Sequence, residues 1–195
     1  MRVLVACECS GRVRDAFIRR GHDAWSCDIL PSETPGPHIQ DDVRNHLSEG
    51  WDMIIAFPDC TYLCSSGLHW NHRRPGRQEL TEEAIKFATM FESYAGKVAV
   101  ENPIGCLSTR YRKPDQIIQP WQFGADASKA TCLWLKGLPL LQPTTLVEPR
   151  IVNGKKRWGN QCDSGQNKLG PSPERAAERA RTYQGIADAM AEQWG

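Results

Sequence analysis

The sequence predicts an α/β fold built on a mostly parallel sheet with helices on both faces. Two observations lead to this prediction. Short apolar runs alternate with helical segments through the first half of the chain, and the runs are apolar at nearly every position. Strands that are buried on both faces of a parallel sheet have this composition, whereas strands of a half-exposed antiparallel sheet alternate.

Four apolar runs mark the strands of the first half. They are RVLVAC (2–7), AWSCDIL (24–30), MIIAF (53–57) and KVAVEN (97–102). Each contains β-branched or aromatic residues, and each is followed by proline or polar residues. Only one comparable run, TCLWL (131–135), occurs between residues 104 and 170, so the second half is expected to be irregular.

Three helices are predicted around these strands. Residues 12–21 form a helix that Gly21 ends, and residues 81–96 form one that Thr81 caps and Gly96 ends. The third helix covers 172–194 and has a core-facing apolar stripe at Tyr183, Ile186, Ala187, Met190, Ala191 and Trp194.

We therefore expect one domain over residues 1–195. It divides into a core over 1–123, a reduced irregular insertion over 124–170 and a C-terminal helix over 171–195 that packs back on the core. A chain of this length buries enough surface for its own hydrophobic core.

Composition argues against several classes of protein. No apolar run is long enough to span a membrane, and the N-terminal run lacks the layout of a signal peptide. We therefore expect a cytoplasmic protein with no membrane partner. The eight cysteines are expected to be reduced and mostly buried.

The net charge of +1 conceals two basic stretches. Residues 150–181 hold eight Lys or Arg against three acidic residues, and residues 69–77 read HWNHRRPGR; each stretch contains a tryptophan. Interleaved cations and aromatic rings suit a phosphate backbone and stacked bases. A solvated protein surface is the competing interpretation.

Two reactive side chains follow two of the predicted strands. Cys60 comes just after the third strand and Glu101 closes the fourth. The carboxyl ends of parallel strands meet at one edge of a sheet, where ligands bind. A thiolate and an acid placed there can attack and protonate one small ring between them. The competing interpretation is a loop cysteine and a capping or salt-bridge carboxylate.

The segment FPDCTYLC (57–64) followed by ENPIG (101–105) resembles the DNA cytosine-C5 methyltransferase family, in particular its short phage-type members. The resemblance implies a Rossmann-like sheet of the class I methyltransferase type. It implies that Cys60 adds to C6 of cytosine, that Glu101 contacts N3 and the exocyclic amine, and that Asn102 is its structural partner. C5 then takes a methyl group from S-adenosylmethionine, on a base flipped out of the duplex.

The same resemblance implies a site for the cofactor S-adenosylmethionine. The family's first loop corresponds to ACECSGRV, and its later motifs correspond to residues after the second strand, to QDDVRN and to the residues before the nucleophile. The expected cofactor contacts are Glu8, Cys9, Ser10, Gly11, Asp28, Ile29, Asp42, Val43, Phe57 and Pro58. Asp28 is expected to hold the ribose hydroxyls. Asp42 is expected to contact the adenine amine, and Val43 the adenine ring.

DNA is the expected partner. The residues expected to contact it are His69, Trp70, Arg73, Arg74, Lys129, Lys155, Lys156 and Arg157. Lys129 lies roughly where the family has a Gln-x-Arg-x-Arg motif, which this chain lacks.

The chain departs from the family's pattern at several further points. Asp59 stands where a second proline is usual, and the first loop lacks its later glycines. The last motif, Gln-x-Gly-Asn, is only faintly similar to this chain at Gln184 and Gly185, which are adjacent here, and Ile186 stands in place of asparagine. Only residues 124–170 remain for a target-recognition domain.

Three other interpretations stay open. The same chemistry on a free pyrimidine nucleotide such as dCMP fits the short recognition segment, and a non-catalytic nucleic-acid-binding module fits the altered first loop. Cys60, Cys64, His69 and His72 have a spacing that superficially suits zinc, but the middle gap is too short for a zinc finger, and we expect no metal.

Overall fold

The computed structural model describes residues 1–170, 172 and 175–195. The strands are β1 (Arg2–Ala6), β2 (Asp23–Asp28), β3 (His38–Gln40), β4 (Met53–Ala56), β5 (Lys97–Pro103), β6 (Gln116–Ile118), β7 (Thr131–Lys136), β8 (Arg150–Val152) and β9 (Lys155–Arg157). The α-helices are α1 (Arg12–Arg19), α2 (Ser65–Leu68), α3 (Arg77–Met90), α4 (Leu107–Arg110), α5 (Arg175–Ala180) and α6 (Gln184–Trp194).

Strands β1 to β7 form one sheet in the order β3-β2-β1-β4-β5-β7-β6, and β8 and β9 form a separate hairpin. Six strands of the sheet run in one direction, and β7 runs against its neighbours β5 and β6. The chain order changes direction between β1 and β4. In such sheets ligands bind beyond the carboxyl ends of the strands at this switch point. Because β7 is reversed, its first residues lie at the same edge.

Alternate side chains of the central strands enter two separate cores. Val3 points into a core shared with Phe17 of α1 and Trp194 of α6. Leu4, the next residue, points into the opposite core, which contains Phe91 just after α3. All of these side chains are almost completely buried. The prediction of a mostly parallel α/β sheet with helices on both faces is confirmed at this level.

The sequence did not predict β3, β6 or the β8–β9 hairpin. Strands β3 and β6 have three residues each and form the two edges of the sheet, so they keep exposed positions and lack a continuous apolar run. The hairpin is mostly polar and exposed. The predicted strand 24–30 is also shifted, since β2 begins at Asp23 and ends at Asp28.

Helix α3 begins at Arg77, four residues before the predicted N-cap Thr81. The chain enters the helix through Gly76, whose φ of 76° is a conformation that glycine adopts at little cost. Thr81 is buried, and its hydroxyl lies 3.2 Å from the carbonyl oxygens of Tyr62 and Arg77. The capping role expected of Thr81 is therefore wrong.

The predicted C-terminal helix is two helices. Helix α5 ends at Ala180, residues 181–183 are not helical, and α6 begins at Gln184. The predicted apolar stripe is confirmed, because the side chains from Ile186 to Trp194 in it are buried against α1 and the sheet. Part of the predicted start of this helix, Pro173 and Glu174, lies outside the described residues.

The cysteines and the helices bear on two expectations from composition. All eight cysteines are free thiols, but only Cys27, Cys106 and Cys132 are buried, so the expectation that most are buried is wrong. In the described part of the chain, no helix combines the length and apolar character that crossing a membrane requires.

Candidate active site

The loops after β1 and β4, the end of β5 and the start of β7 meet at one edge of the sheet. Asn102 of β5 links two of them. Its side-chain nitrogen donates a 2.8 Å hydrogen bond to the carbonyl oxygen of Pro58, and the side chain is 1% exposed. This bond holds the turn that carries Cys60 against the strand that carries Glu101.

A second contact holds the Cys60 loop from its other side. The backbone N–H of Cys106 donates to the carbonyl oxygen of Leu63 at 2.9 Å, and the N–H of Ser65 donates to Ile104. Gly105 lies between these bonds. A Cβ atom at Gly105 would come within 2.0 Å of the Leu63 oxygen. The motif ENPIG therefore needs its glycine because the two loops touch backbone to backbone.

The environment of Cys60 favours its neutral thiol. Burial, and after it Cys64, Asp59 and Glu101, raise the pKa of Cys60 to about 11, while Lys129 acts in the opposite direction. Asp59 raises the pKa of Cys60 less than burial does. Its carboxylate is exposed and accepts hydrogen bonds from the N–H and hydroxyl of Thr61 rather than from a basic side chain.

Glu101 lies beside Lys129 and Thr131, at the edge where β5 and β7 pair. Burial raises the pKa of the Glu101 carboxyl, and the charge of Lys129 and the hydroxyl of Thr131 only partly oppose this. The protonated form, which can donate a proton to a ring nitrogen, is therefore more favoured than in an ordinary carboxyl group. Lys129 is the one expected DNA contact that lies in the pocket of Glu101.

The cavity in front of Glu101 is small, with a volume of about 10 Å³. Phe57, Lys129 and Thr131 form part of its wall, and Thr182 and Tyr183 form another part. This volume is close to the lower limit for a single water molecule. A larger groove between α1 and α6 lies among the ion-paired Arg19 and Asp188, on the helical face of the molecule, and is not part of this edge.

The first loop is organised by Glu8. One carboxylate oxygen of Glu8 accepts hydrogen bonds from the Ser10 hydroxyl at 2.6 Å and from the Val13 N–H at 3.2 Å. The other oxygen is buried and has no partner among the described residues. Cys7, just before it, has a φ of 58°, which is uncommon outside glycine and occurs at strained functional sites.

Acidic groups surround the crevice beyond β1. After burial, the largest effect on the thiol of Cys7 comes from Asp28, and Asp42 and Asp59 act in the same direction; all of them raise the pKa of Cys7. Burial raises the pKa of the Glu8 carboxyl, so the charge of the crevice comes from the aspartates. A crevice of this charge favours a cationic ligand over a phosphate.

The residues after β2 fit one part of a cofactor site. Ile29 is 72% exposed, and it follows Asp28, whose Oδ1 accepts a 2.9 Å hydrogen bond from the N–H of Leu30. Asp42 is less available than expected because its carboxylate forms an ion pair with Arg44. Val43 is 4% exposed and packs in the core, so the expected contact of its side chain with adenine is corrected.

The predicted DNA contacts have different surroundings. The guanidinium carbons of Arg73 and Arg74 lie 5.8 and 4.5 Å from the ring centre of Trp70, which stacks at a tilt on His69. Together these four residues form an exposed cluster beside α2.

The hairpin offers two further cations. Lys155 and Lys156 are exposed on β9 and have no salt bridge among the described residues. Arg157, in contrast, donates to the carbonyl oxygens of Asp163 and Ser164. Its guanidinium holds the 163–165 turn, and its expected contact with DNA stays a prediction.

Arg14 is an organising residue that the sequence did not reveal. Its side chain is completely buried. The guanidinium donates hydrogen bonds to the side chains of Asp15, Ser26, Ser32 and Thr34 and to the carbonyl oxygen of Pro35. It fixes the 32–35 loop beside the first loop. An arginine in an amphipathic helix gives no sequence signal for burial, since it usually lies in solvent.

No group of three His, Cys, Asp or Glu side chains within the described residues has the arrangement of a metal site, so Cys60, Cys64, His69 and His72 do not come together as one. No protein-family model matches the chain, and no curated protein matches it.

Proposed function

We propose that the protein is an S-adenosylmethionine-dependent methyltransferase that acts on C5 of cytosine in DNA through a covalent adduct with Cys60. The observation that carries the proposal is the Asn102–Pro58 hydrogen bond. It fastens the turn that carries the Cys60 thiol to the strand that carries Glu101, and burial raises the pKa of the Glu101 carboxyl group. A nucleophile and an acid held in this way can act on one ring from two sides.

The chemistry follows from these groups. The Cys60 thiolate adds to C6 of the ring while Glu101 donates its proton to N3, so that the negative charge formed on the ring is neutralised. When bound, S-adenosylmethionine supplies the methyl group that C5 accepts. Water takes the C5 proton, which restores the C5–C6 double bond and expels the Cys60 thiolate, and the N3 proton returns to the Glu101 carboxylate. Lys129 stabilises the thiolate, since its charge favours ionisation of Cys60.

The crevice beyond β1 suits this cofactor. S-adenosylmethionine carries a sulfonium and an ammonium group, and both gain from the carboxylates of Asp28 and Asp59. The unpaired buried oxygen of Glu8 is an acceptor without a donor among the described residues, and the ammonium group would supply one. Exposed Ile29 offers an apolar surface for the adenine ring.

The sheet supports the same assignment. The strand order places the crevice between β1 and β4 and adds a reversed β7 between β5 and β6. This is the arrangement expected of the class I methyltransferase type. The reversed strand brings Lys129 to the edge where Glu101 lies.

The test is incubation with radiolabelled S-adenosylmethionine and either duplex DNA or dCMP, followed by nucleoside analysis. We expect label in 5-methylcytosine from DNA, and no label with Cys60→Ala, although calorimetry still detects cofactor binding. The matched control is Cys162→Ala, a partly accessible cysteine in the 161–167 loop, which should retain activity. Undiminished transfer by the Cys60→Ala variant would exclude the covalent mechanism.

A free pyrimidine nucleotide is the second candidate substrate. The small recognition segment favours it. Of the three cations on the hairpin that are expected to contact DNA, only Lys155 and Lys156 have side chains that are free, within the described part of the chain, to bind phosphate. Label in the nucleotide and none in DNA would support this alternative. Cofactor-free binding of DNA without transfer to either substrate would instead favour a non-catalytic binding module.

A further inference from the structure

A short segment of the C-terminal region crosses the edge of the sheet where the candidate site lies. We call residues 179–183 the strap; they join the end of α5 to the start of α6. The side chain of Lys129 donates to the carbonyl oxygen of Arg179 at 2.8 Å. The side chain of Arg12, just after the first loop, donates to the carbonyl oxygen of Thr182 at 2.9 Å.

An ion pair fastens the strap at a third point. The guanidinium of Arg181 contacts both carboxylate oxygens of Glu33, at 2.8 and 2.9 Å. Each partner keeps about a third of its side-chain surface exposed, at 32% and 33%. Glu33 belongs to the loop after β2, and its backbone N–H donates to Cys9. The strap therefore connects the first loop with the start of β7.

The strap closes the pocket of Glu101. Thr182 and Tyr183 form one wall of the cavity, which holds about 10 Å³. A cytosine ring is several times larger than the single water that such a space admits. A base can reach Glu101 only after part of the wall moves.

The strap is the wall that can move at least cost. On one side of it, α6 is anchored by Ile186 and Met190, which are buried in the core. Gly185 fixes the start of α6, because a Cβ there would come within 1.8 Å of the Phe123 oxygen. Tyr183 packs against the core at the start of α6. Residues 179–182 of the strap are instead held by polar contacts at the surface, which water can replace.

We propose that the strap is a gate that closes the Glu101 pocket in the free protein and is displaced when a cytosine base enters. Lys129 then exchanges the Arg179 carbonyl oxygen for the substrate, and Arg12 and Arg181 become available to the phosphate groups that accompany the base. This proposal depends on the proposed substrate of the site, but the closed state and its latch can be measured without any reaction.

The first experiment measures hydrogen exchange of peptides that cover residues 177–187 in the free protein. Glu33→Gln keeps the shape of the side chain and removes its charge. We expect it to speed exchange in the strap about two- to fivefold, the factor by which a partly exposed ion pair shifts an equilibrium. Arg181→Gln should have the same effect, and the double variant no more than either.

Arg19→Ala is the matched control. Arg19 forms an ion pair with Asp188 that also connects α6 to another element, but it lies away from the strap. Exchange in the strap should be unchanged in this variant. If Glu33→Gln and Arg181→Gln leave exchange in the strap at the wild-type rate, the ion pair is not a latch and the proposal is overturned.

The second experiment adds oligodeoxycytidylate at saturating concentration to the wild-type protein. We expect faster exchange in the strap, and an affinity that rises two- to fivefold in Glu33→Gln because less of the ligand's binding energy opens the gate. Slower or unchanged exchange would overturn the gate even if methyl transfer is observed. Faster exchange in the strap without methyl transfer would support the gate and contradict the proposed reaction.

Discussion

The thiol of Cys60 has neighbours that oppose the ionisation its proposed role requires. With a pKa of about 11, about one molecule in ten thousand carries a thiolate at pH 7. Burial is the main cause, and Asp59 and Glu101 add to it. Lys129 is the group that favours the thiolate, but its ammonium also donates a hydrogen bond to the carbonyl oxygen of Arg179 in the strap. Displacement of the strap would therefore change the environment of the nucleophile as well as the access to it.

Asp59→Asn should make Cys60 more reactive. Removing a negative charge beside the thiol lowers its pKa, so at pH 8 more thiolate is present and alkylation by iodoacetamide speeds up severalfold. The rate of labelling of the Cys60 peptide, measured by mass spectrometry between pH 7 and 10, checks this. In both proteins it should rise with pH, since the pKa of Cys60 lies above this range.

The same experiment contains its own controls. Cys162 should label first and equally fast in both proteins, because the Ser164 hydroxyl and nearby backbone N–H groups lower the pKa of Cys162. Glu83→Gln removes an exposed carboxylate on α3 and should leave the Cys60 rate unchanged. Equal Cys60 rates in the wild type and Asp59→Asn would show that the carboxylate points away from the sulfur.

At the residue scale, the sequence could predict which side chains follow a strand but not which of them are already occupied. Cys60, Glu101 and Asn102 were placed at one edge because each adjoins an apolar run. Nothing in the sequence shows that Val43 faces the core or that the guanidinium of Arg157 binds carbonyl oxygens. Those facts depend on how loops distant in sequence come together.

At the scale of elements, the site depends on two loops that touch through their backbones. Residues 60–65 and 104–106 form an isolated bridge between Cys64 and Gly105. The bridge leaves no room for a side chain at Gly105. The loop of the nucleophile is thus held by Asn102 on one side and by this bridge on the other.

Gly105→Ala should displace the Cys60 loop. The added Cβ would lie 2.0 Å from the Leu63 oxygen, so the loops must separate. We expect a loss of about 1–3 kcal/mol in the free energy of unfolding and a loss of methyl transfer with cofactor binding retained. Urea denaturation and calorimetry measure these effects.

Gly96→Ala is the matched control for that variant. A Cβ at Gly96 meets nothing within 4 Å, so this variant should unfold at the same urea concentration as the wild type. Equal stability and activity of Gly105→Ala and Gly96→Ala would mean that the contact between the two loops does not position Cys60.

The elements that the sequence predicted well are those buried on both sides. Strands β1, β4 and β5 and the stripe of α6 have continuous or periodic apolar residues because they meet the two cores. The edge strands β3 and β6 and the hairpin meet solvent on at least one side, so their sequences carry no such pattern. The break between α5 and α6 was also hidden, since Arg181 and Tyr183 fit a helical pattern and only their contacts with other loops end it.

At the scale of the whole molecule, the small net charge hides a separation of charge. Acidic groups gather in the crevice beyond β1, whereas exposed cations lie beside α2 and on the β8–β9 hairpin. Two contacts lie at the base of the hairpin: Arg150 forms an ion pair with Asp163, and Trp158 stacks on Trp121 at 5.5 Å. The major groove of duplex DNA is wide enough to admit a two-stranded ribbon.

If the hairpin contacts DNA, its two exposed lysines should account for part of the salt dependence of binding. Each phosphate contact contributes about 0.9 to the slope of log affinity against log salt on duplex DNA. Replacing Lys155 and Lys156 by methionine should therefore reduce the slope by about 2, with the fold retained because neither lysine has a salt bridge among the described residues.

Fluorescence anisotropy with a labelled duplex between 50 and 200 mM salt measures this slope. The control replaces Arg20 and Lys97 by methionine; these residues follow α1 and begin β5, at the opposite edge of the sheet. We expect the wild-type slope for the control, because its two charges are far from the loops that carry Cys60 and the hairpin. An equal reduction of the slope in both double variants would mean that binding reflects overall charge, and the hairpin would then have no specific part in recognising DNA.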